Sequence, residues 1–357
     1  MNRKKKLSLG KKLLFTGILL LFPLILFVIF ELFLRIVLPQ PPRGFSDSLF
    51  TSRDGLTIVK PYIKGAQYSR EFDVPVHGNR FGYRCGAWSK GLALDSELPK
   101  CVIVGDSFAF GWGVGGDEVF TNFLNDKFQY LDLGIPGDGP VQQYNRLKWA
   151  FDNVKNIKKA LLLLYDNDMS EFNPEKGGNG RRSNRKPQPV PLMARVKDAV
   201  LKLHSVRLIS RVIDKMGLSD SFASMFGFEQ LRKRVIVKDI VIHKKDFHKS
   251  ERWRWAEKVY KDIVELCTEN GVELSVIRIV PVYFLELPLR KHYLDSYGIA
   301  ETEYDFGQTG QRLSGIFSDY REFAPDSDGL YFKYDMHLNK KGHKALAEFM
   351  NNSVLID

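Results

Sequence analysis

A serine, a histidine and an aspartate stand in this chain in an order and a setting that suit acyl transfer. Ser107 follows Gly105 and Asp106, directly after the apolar run from Cys101 to Val104. A short apolar run that ends in glycine reads as a buried strand closed by a turn. Open α/β sheets place their ligand sites at the carboxyl ends of such strands. A serine hydroxyl is a poor nucleophile near neutral pH and needs a base, a group that orients the base, and donors for the developing oxyanion. His337 can take the proton and return it to the leaving group. Asp335, two residues earlier, can hold the imidazole in one tautomer and stabilise its cation. The backbone N–H groups of Ser107 and Gly137, with the side-chain amide of Asn167, can form an oxyanion hole. Gly137 suits that task because a residue without Cβ lets the backbone approach a ligand.

The intervening sequence supplies elements that bring these residues to one place. Strands are predicted at 101–104, 129–133, 159–164 and 273–280, and helices at 141–153, 253–269 and 340–351. Trp255, Val259, Ile263 and Cys267 recur at helical spacing. Strands alternating with helices predict an α/β fold, a doubly wound parallel sheet in three layers. Ser107, Gly137 and Asn167 each follow a strand or its turn, and Asp335 and His337 lie near the carboxyl end of the chain. In a doubly wound sheet such loops converge on one edge.

At these residues the chain resembles the SGNH hydrolases, the GDSL esterase/lipase superfamily. The resemblance lies in Gly105-Asp106-Ser107 (with Phe108 where leucine is usual), in Gly134 to Gly137, in Asn167-Asp168 and in Asp335-Met336-His337. The blocks fall in the family's order and cover about 100–170 and 270–350. The resemblance implies a flavodoxin-like sheet, Ser107 as nucleophile, Asp335 and His337 as its partners, and an oxyanion hole from Ser107, Gly137 and Asn167, with neither cofactor nor metal. Two positions depart from the pattern. Tyr165 stands where the family has glycine, which implies a narrower acyl pocket. Only Met336 separates Asp335 from His337, where two residues are common. The short spacing is similar to the branch that O-acetylates bacterial exopolysaccharides. The implied function is an acyl-ester hydrolase acting on O-acyl groups of cell-envelope or exported glycans. The alternatives are an O-acyltransferase that modifies an exported polysaccharide, and an inactive envelope-assembly scaffold. The intact set of five site residues argues against the scaffold.

Other features set the surroundings. Arg3, Lys4, Lys5, Lys6, Lys11 and Lys12 precede an apolar run, so residues 1–12 read as a basic cytoplasmic tail and 13–38 as a transmembrane anchor. A span needs about 20 residues, and Pro23 is tolerated within one. A cleaved signal peptide is the rival, but the run is long and lacks a small-residue cleavage pattern. The basic flank stays inside, which places the bulk of the chain on the periplasmic or extracellular side of the cytoplasmic membrane. The run and the stretch Asn79 to Arg84 also look like membrane-anchored bacterial members of the family. Residues 39–96 read as a stalk and lead-in, and 97–355 as the hydrolase-like domain, interrupted at about 173–251 by a basic, partly helical insert.

The 357-residue chain has a net charge of +11. Its excess lies in the tail and in 181–260, which holds twenty basic and eight acidic residues, so the remainder is net acidic. No nucleic-acid motif accompanies the charge, which argues against that class of partner. In the insert, Val196, Val200, Leu203, Val206, Ile209, Val212, Ile213 and Met216 form one stripe of a helix expected over 193–216. That helix either packs over the sheet or lies on an anionic membrane surface. Cys85 and Cys101 are permitted to form a disulfide outside the cytoplasm, and buried free thiols fit equally. His343 reads as a cap or surface residue, Asp106 as a turn residue, and Gly111 to Gly116 as a phosphate loop in composition alone. His243 and His248 lack an organised metal set.

Overall fold

The computed structural model describes residues 9–40, 42, 44–45, 49–84, 86, 89, 92–171, 196, 199–218, 240, 242–326 and 329–356. In chain order the principal elements are helix α1 (Leu9–Val37) and strands β1 (Gly44–Phe45), β2 (Phe50–Arg53), β3 (Leu56–Val59), β4 (Lys64–Tyr68), β5 (Asp73–His77) and β6 (Lys100–Val104). Then come α2 (Ser107–Phe110), β7 (Gln129–Asp132), α3 (Pro140–Asn153), β8 (Ile157–Leu164), α4 (Asn167–Glu171) and α5 (His204–Lys215). The chain closes with α6 (Glu251–Glu269), β9 (Glu273–Ile279), β10 (Tyr320–Phe323) and α7 (Lys340–Ser353). They fall into two compact units. One comprises 1–43 and 187–220, the other 44–186 and 221–357.

The larger unit is built on a five-stranded sheet in the order β10-β9-β8-β6-β7, with every pair parallel. Numbered within the sheet, that order is 2-1-3-4-5 from the β7 edge, and the strand order reverses between β6 and β8. The inner strands are apolar on both sides because both faces are covered. Val102, Val104, Ala160, Leu162 and Val276 pack with α3 and α6 on one face. Cys101, Ile103, Leu161, Leu163, Ile277 and Ile279 pack with α2 and α7 on the other. Local chemistry sets the helix starts. Pro140 opens α3, the Ser250 hydroxyl accepts the Trp253 N–H before α6, and the Asn339 side chain accepts from Lys341 and Gly342 before α7. Each start follows the N-terminal preferences of helices.

Several expectations change. The segment read as a stalk belongs, from residue 44 onward, to the same unit as the sheet. It forms a three-stranded antiparallel sheet, β1-β4-β5, and the hairpin β2-β3. Its turn at Asn79 is closed by the side-chain oxygen, which accepts N–H groups of Phe81 and Tyr83. The turn delivers Arg84 to the interior. Its guanidinium donates to the carbonyl of Phe110 at 2.8 Å and to those of Gly111 and Val114. Strand β10 was not expected, because a four-residue half-exposed strand carries little apolar signal. The helix expected over 193–216 is broken at Lys202 and Leu203, and α5 begins only at His204. Most of the insert, 172–195 and 219–239, lies outside the described residues. Cys101 and Cys267 are buried free thiols, and Cys85 lies outside the described residues. In the smaller unit, α1 is the one described helix long and apolar enough to cross a membrane.

Arg84 is buried, and burial pulls its pKa down to about 10 against the opposing pull of Asp132 and Glu118, so it stays charged at neutral pH. Arg84→Ala should therefore strip a charged donor from three carbonyls and cost roughly 3 kcal/mol. A lower urea midpoint would register it. Arg84→Lys should recover only part, since lysine lacks the planar fork. An unchanged midpoint for the alanine variant would contradict this role.

Candidate active site

The three loops after β7, β6 and β8 lie side by side at the carboxyl edge of the sheet, at the reversal of strand order. They carry Gly137, Ser107 and Asn167. Two close approaches lock them together. A Cβ on Gly105 would stand 2.7 Å from the Leu163 carbonyl oxygen, and one on Gly134 would stand 2.7 Å from the Phe110 backbone nitrogen. Only glycine permits backbones to meet at that range. Gly137 has a φ of 78° and is exposed. Asn167 is the first residue of α4 and half-buried.

Ser107 opens α2 and is buried. Its Oγ lies 2.8 Å from His337 Nε2. On the other side of the ring, His337 Nδ1 lies 2.5 Å from Asp335 Oδ1. Serine, histidine and aspartate thus form one continuous hydrogen-bonded chain, the arrangement a serine nucleophile requires. The structure brings these three predicted residues into contact and places Gly137 and Asn167 on the two flanking loops. The short spacing is accommodated at Met336, whose φ of 67° is left-handed.

The surroundings of the imidazole come from residues whose roles the sequence did not reveal. Glu71 follows β4, and its carboxylate accepts the backbone N–H groups of Lys333, Tyr334 and Asp335 at 2.7, 2.8 and 2.7 Å. The Trp112 indole N–H donates to the second oxygen of Asp335 at 3.2 Å. Its ring also stacks on His337, with centroids 5.4 Å apart. Phe108 stacks on His337 at 4.7 Å and on Tyr165 at 4.2 Å. Tyr165 therefore props the stack beneath the imidazole. The glycine-rich segment after α2 presents Trp112, with Gly113 N–H donating to Gln67 Oε1 at 2.8 Å. None of these contacts has a short-range signature, since each joins residues far apart in sequence.

Asp166, next to Asn167, is locked by Arg278 of β9 through two bonds of 2.8 and 2.9 Å. Burial would raise the Asp166 pKa, but Arg278 and then His243 outweigh it and hold the carboxyl well below its usual range. His243 Nε2 lies 3.0 Å from Asp166 Oδ2 and Nδ1 lies 3.2 Å from Thr309 Oγ1, so this histidine belongs to a buried polar cluster. Among the described residues no group of three or more His, Cys, Asp or Glu side chains is placed to hold a metal. The surface reading of His343 is corrected. It is buried in the first turn of α7 beside Phe120. Burial, then Arg84, then His337 bring its pKa down to about 3, so it is neutral at physiological pH. Asp106 caps α2, accepting the Phe108 N–H at 2.9 Å, and its other oxygen lies 3.1 Å from Ser107 Oγ.

No family model matches the chain, and no curated protein matches it. Among solved structures, one described as a member of the lipolytic protein G-D-S-L family from Veillonella parvula DSM 2008 is similar over 72% of this chain and 98% of its own, at 13% identity and a TM-score of 0.32. At that level of superposition the likeness adds nothing to what the geometry establishes.

Burial acts to lower the His337 pKa, but Asp335, and Asp106 after it, outweigh burial and raise it. The ring should accordingly titrate above the ordinary imidazole value of about 6.5. Asp335→Asn removes the larger attraction and leaves the burial, so the midpoint should fall. Ring-proton resonances followed against pH would show it. A midpoint that stays in place in Asp335→Asn would mean that the carboxylate does not set the charge on His337.

Proposed function

We propose that this protein is a serine-dependent acyl-ester hydrolase. The observation that carries the reading is the continuous chain from Ser107 Oγ through the His337 ring to Asp335. In the reaction, His337 Nε2 takes the Ser107 proton as Oγ attacks the ester carbonyl. Negative charge gathers on the carbonyl oxygen, where the N–H groups of Ser107 and Gly137 and the Asn167 amide receive it. His337 returns the proton to the departing alcohol, which leaves acyl-Ser107. A water molecule, deprotonated by the same ring, then releases the carboxylic acid. Asp335 holds the Nδ1–H tautomer and stabilises the imidazolium formed twice per cycle.

α1 serves in this reading as a membrane anchor, with the basic tail in the cytoplasm and the sheet unit outside it. That location favours O-acyl groups of envelope or exported glycans as substrates. The single residue between Asp335 and His337 supports a second reading, an O-acyltransferase in which a sugar hydroxyl replaces water as acceptor. Both share the acyl-Ser107 intermediate and differ only in its fate. An inactive scaffold would have no use for the hydrogen-bonded chain.

Ser107→Ala should abolish turnover of an O-acetyl ester by several orders of magnitude while the fold persists. Asp335→Asn should lower kcat sharply with little change in KM, and the His337 and Asp335 changes should combine far below the product of their separate effects. Near-normal activity in purified Ser107→Ala would remove this residue from the mechanism. The rate should fall as pH drops through the raised His337 pKa, because only the neutral ring accepts the proton. An acid limb at or below about 6.5 would contradict that. Acyl-Ser107, trapped and then offered water and glycan together, reports its acceptor. Predominant acyl transfer to glycan would replace hydrolase with transferase.

A further inference from the structure

Glu31 lies in the apolar helix α1, where a lone carboxylate is costly in lipid and calls for a partner. It is buried, and so is Leu34 one turn later, while the neighbouring apolar side chains of α1 are exposed. The Glu31 carboxylate accepts the first backbone N–H groups of α5, from His204 at 2.8 Å and Ser205 at 2.9 Å, and pairs with Arg35 at 2.9 Å. A negative charge at a helix N-terminus is favourable because those N–H groups lack partners within the helix. The tie continues along α5. Gln40 N–H donates to His204 Nδ1 at 2.8 Å, Arg207 donates to the Gln40 carbonyl at 3.2 Å, and Arg211 donates to Gln40 Oε1 at 3.3 Å. The first two turns of α5 are thereby fixed where α1 ends.

Arg207 and Arg211 face Gln40, just past the end of α1. Roughly half a turn away, Ile209, Val212 and Met216, spaced three and four apart, share one face. They are 58%, 47% and 65% exposed. α1 and this face of α5 both expose apolar side chains, and the two helices are joined at Glu31 and Gln40. We propose that α5 is an interfacial helix whose Ile209–Val212–Met216 face enters the phospholipid bilayer where α1 leaves it, with Glu31 as its seat. The proposal rests on the anchor reading of α1. It assigns Glu31 a structural task and gives the membrane two attachments, a span and a helix lying in the interface.

The test uses the full chain in vesicles of phosphatidylcholine and phosphatidylglycerol, in a Cys85→Ser background, with Cys101 and Cys267 left buried. Nitroxide labels are placed one at a time at Leu26→Cys, Val212→Cys and Lys215→Cys, and their collisions with oxygen and with a water-soluble nickel chelate are compared. The labels at 26 and 212 should favour oxygen several-fold over the label at 215. A label at 212 that meets the chelate as readily as 215, or is shielded from both reagents by protein or by a second copy, while 26 stays in lipid, overturns the interfacial helix and leaves the anchor standing. A label at 26 exposed to the chelate overturns the anchor, and the proposal with it. Glu31→Ala should reduce the oxygen preference at 212 several-fold with 26 unchanged; no change at 212 would overturn Glu31 as the seat.

Discussion

Three successive backbone N–H groups, of Lys333, Tyr334 and Asp335, converge on the Glu71 carboxylate, and the geometry of the candidate site depends on that convergence. Asp335 must reach Nδ1 of a histidine only two residues away while the other ring nitrogen faces Ser107. The chain meets both demands by placing Met336 at a φ of 67°. A left-handed conformation costs a non-glycine residue about 1–2 kcal/mol. A hydrogen bond to a charged acceptor contributes about 1.5–3 kcal/mol, so three such bonds outweigh the strain. Glu71 comes from the segment before the sheet, which is why that segment is part of the site.

The floor beneath this loop is rigid for a different reason. Asp166 and Arg278 are buried with two-pronged geometry. Desolvating both charges is expensive, and only such geometry with further bonds offsets it. Arg278 has that further bond, to Glu322 of β10 at 2.8 Å. The strand that ends beside Asn167 is therefore tied across β9 to the sheet's edge. Above it, Tyr165, Phe108, the His337 ring and Trp112 form one stack. The stack restricts the imidazole to rotation in its own plane, and the bonds to Asp335 and Ser107 then fix that rotation.

Sequence patterning reached as far as local physics reaches. The inner strands, expected over 101–104, 159–164 and 273–280 and found at Lys100–Val104, Ile157–Leu164 and Glu273–Ile279, announce themselves as apolar runs because both their faces are covered. Ser107, Asp335 and His337 were legible because nucleophile chemistry restricts which residue types can serve. Glu71, Arg84 and Trp112 were not, because their partners lie 26 to more than 200 residues away and a carboxylate on a loop resembles any solvated one. His343 misled for the same reason. Histidine early in a helix resembles a cap until packing against Phe120 is seen. The apolar stripe read over 193–216 did not reveal the break at Lys202 and Leu203, after which the first N–H groups of α5 meet Glu31, 173 and 174 residues away in sequence.

The electrostatics close on the one proton of the Ser107 hydroxyl. Serine has a single O–H to donate, and two acceptors are within reach, His337 Nε2 at 2.8 Å and Asp106 Oδ2 at 3.1 Å. An ionised Asp106 competes with the base for that proton. Burial raises the Asp106 pKa against the opposing Phe108 N–H and His337. The other oxygen of Asp106 is occupied by the Phe108 N–H at 2.9 Å, and the shorter contact of the serine hydroxyl is the one to His337. His343, neutral because it is buried, adds no positive charge that would hold His337 down. The shorter contact to the ring and the buried neutral histidine of α7 thus act in the same sense. Both leave the proton of Ser107 to the ring that Asp335 orients.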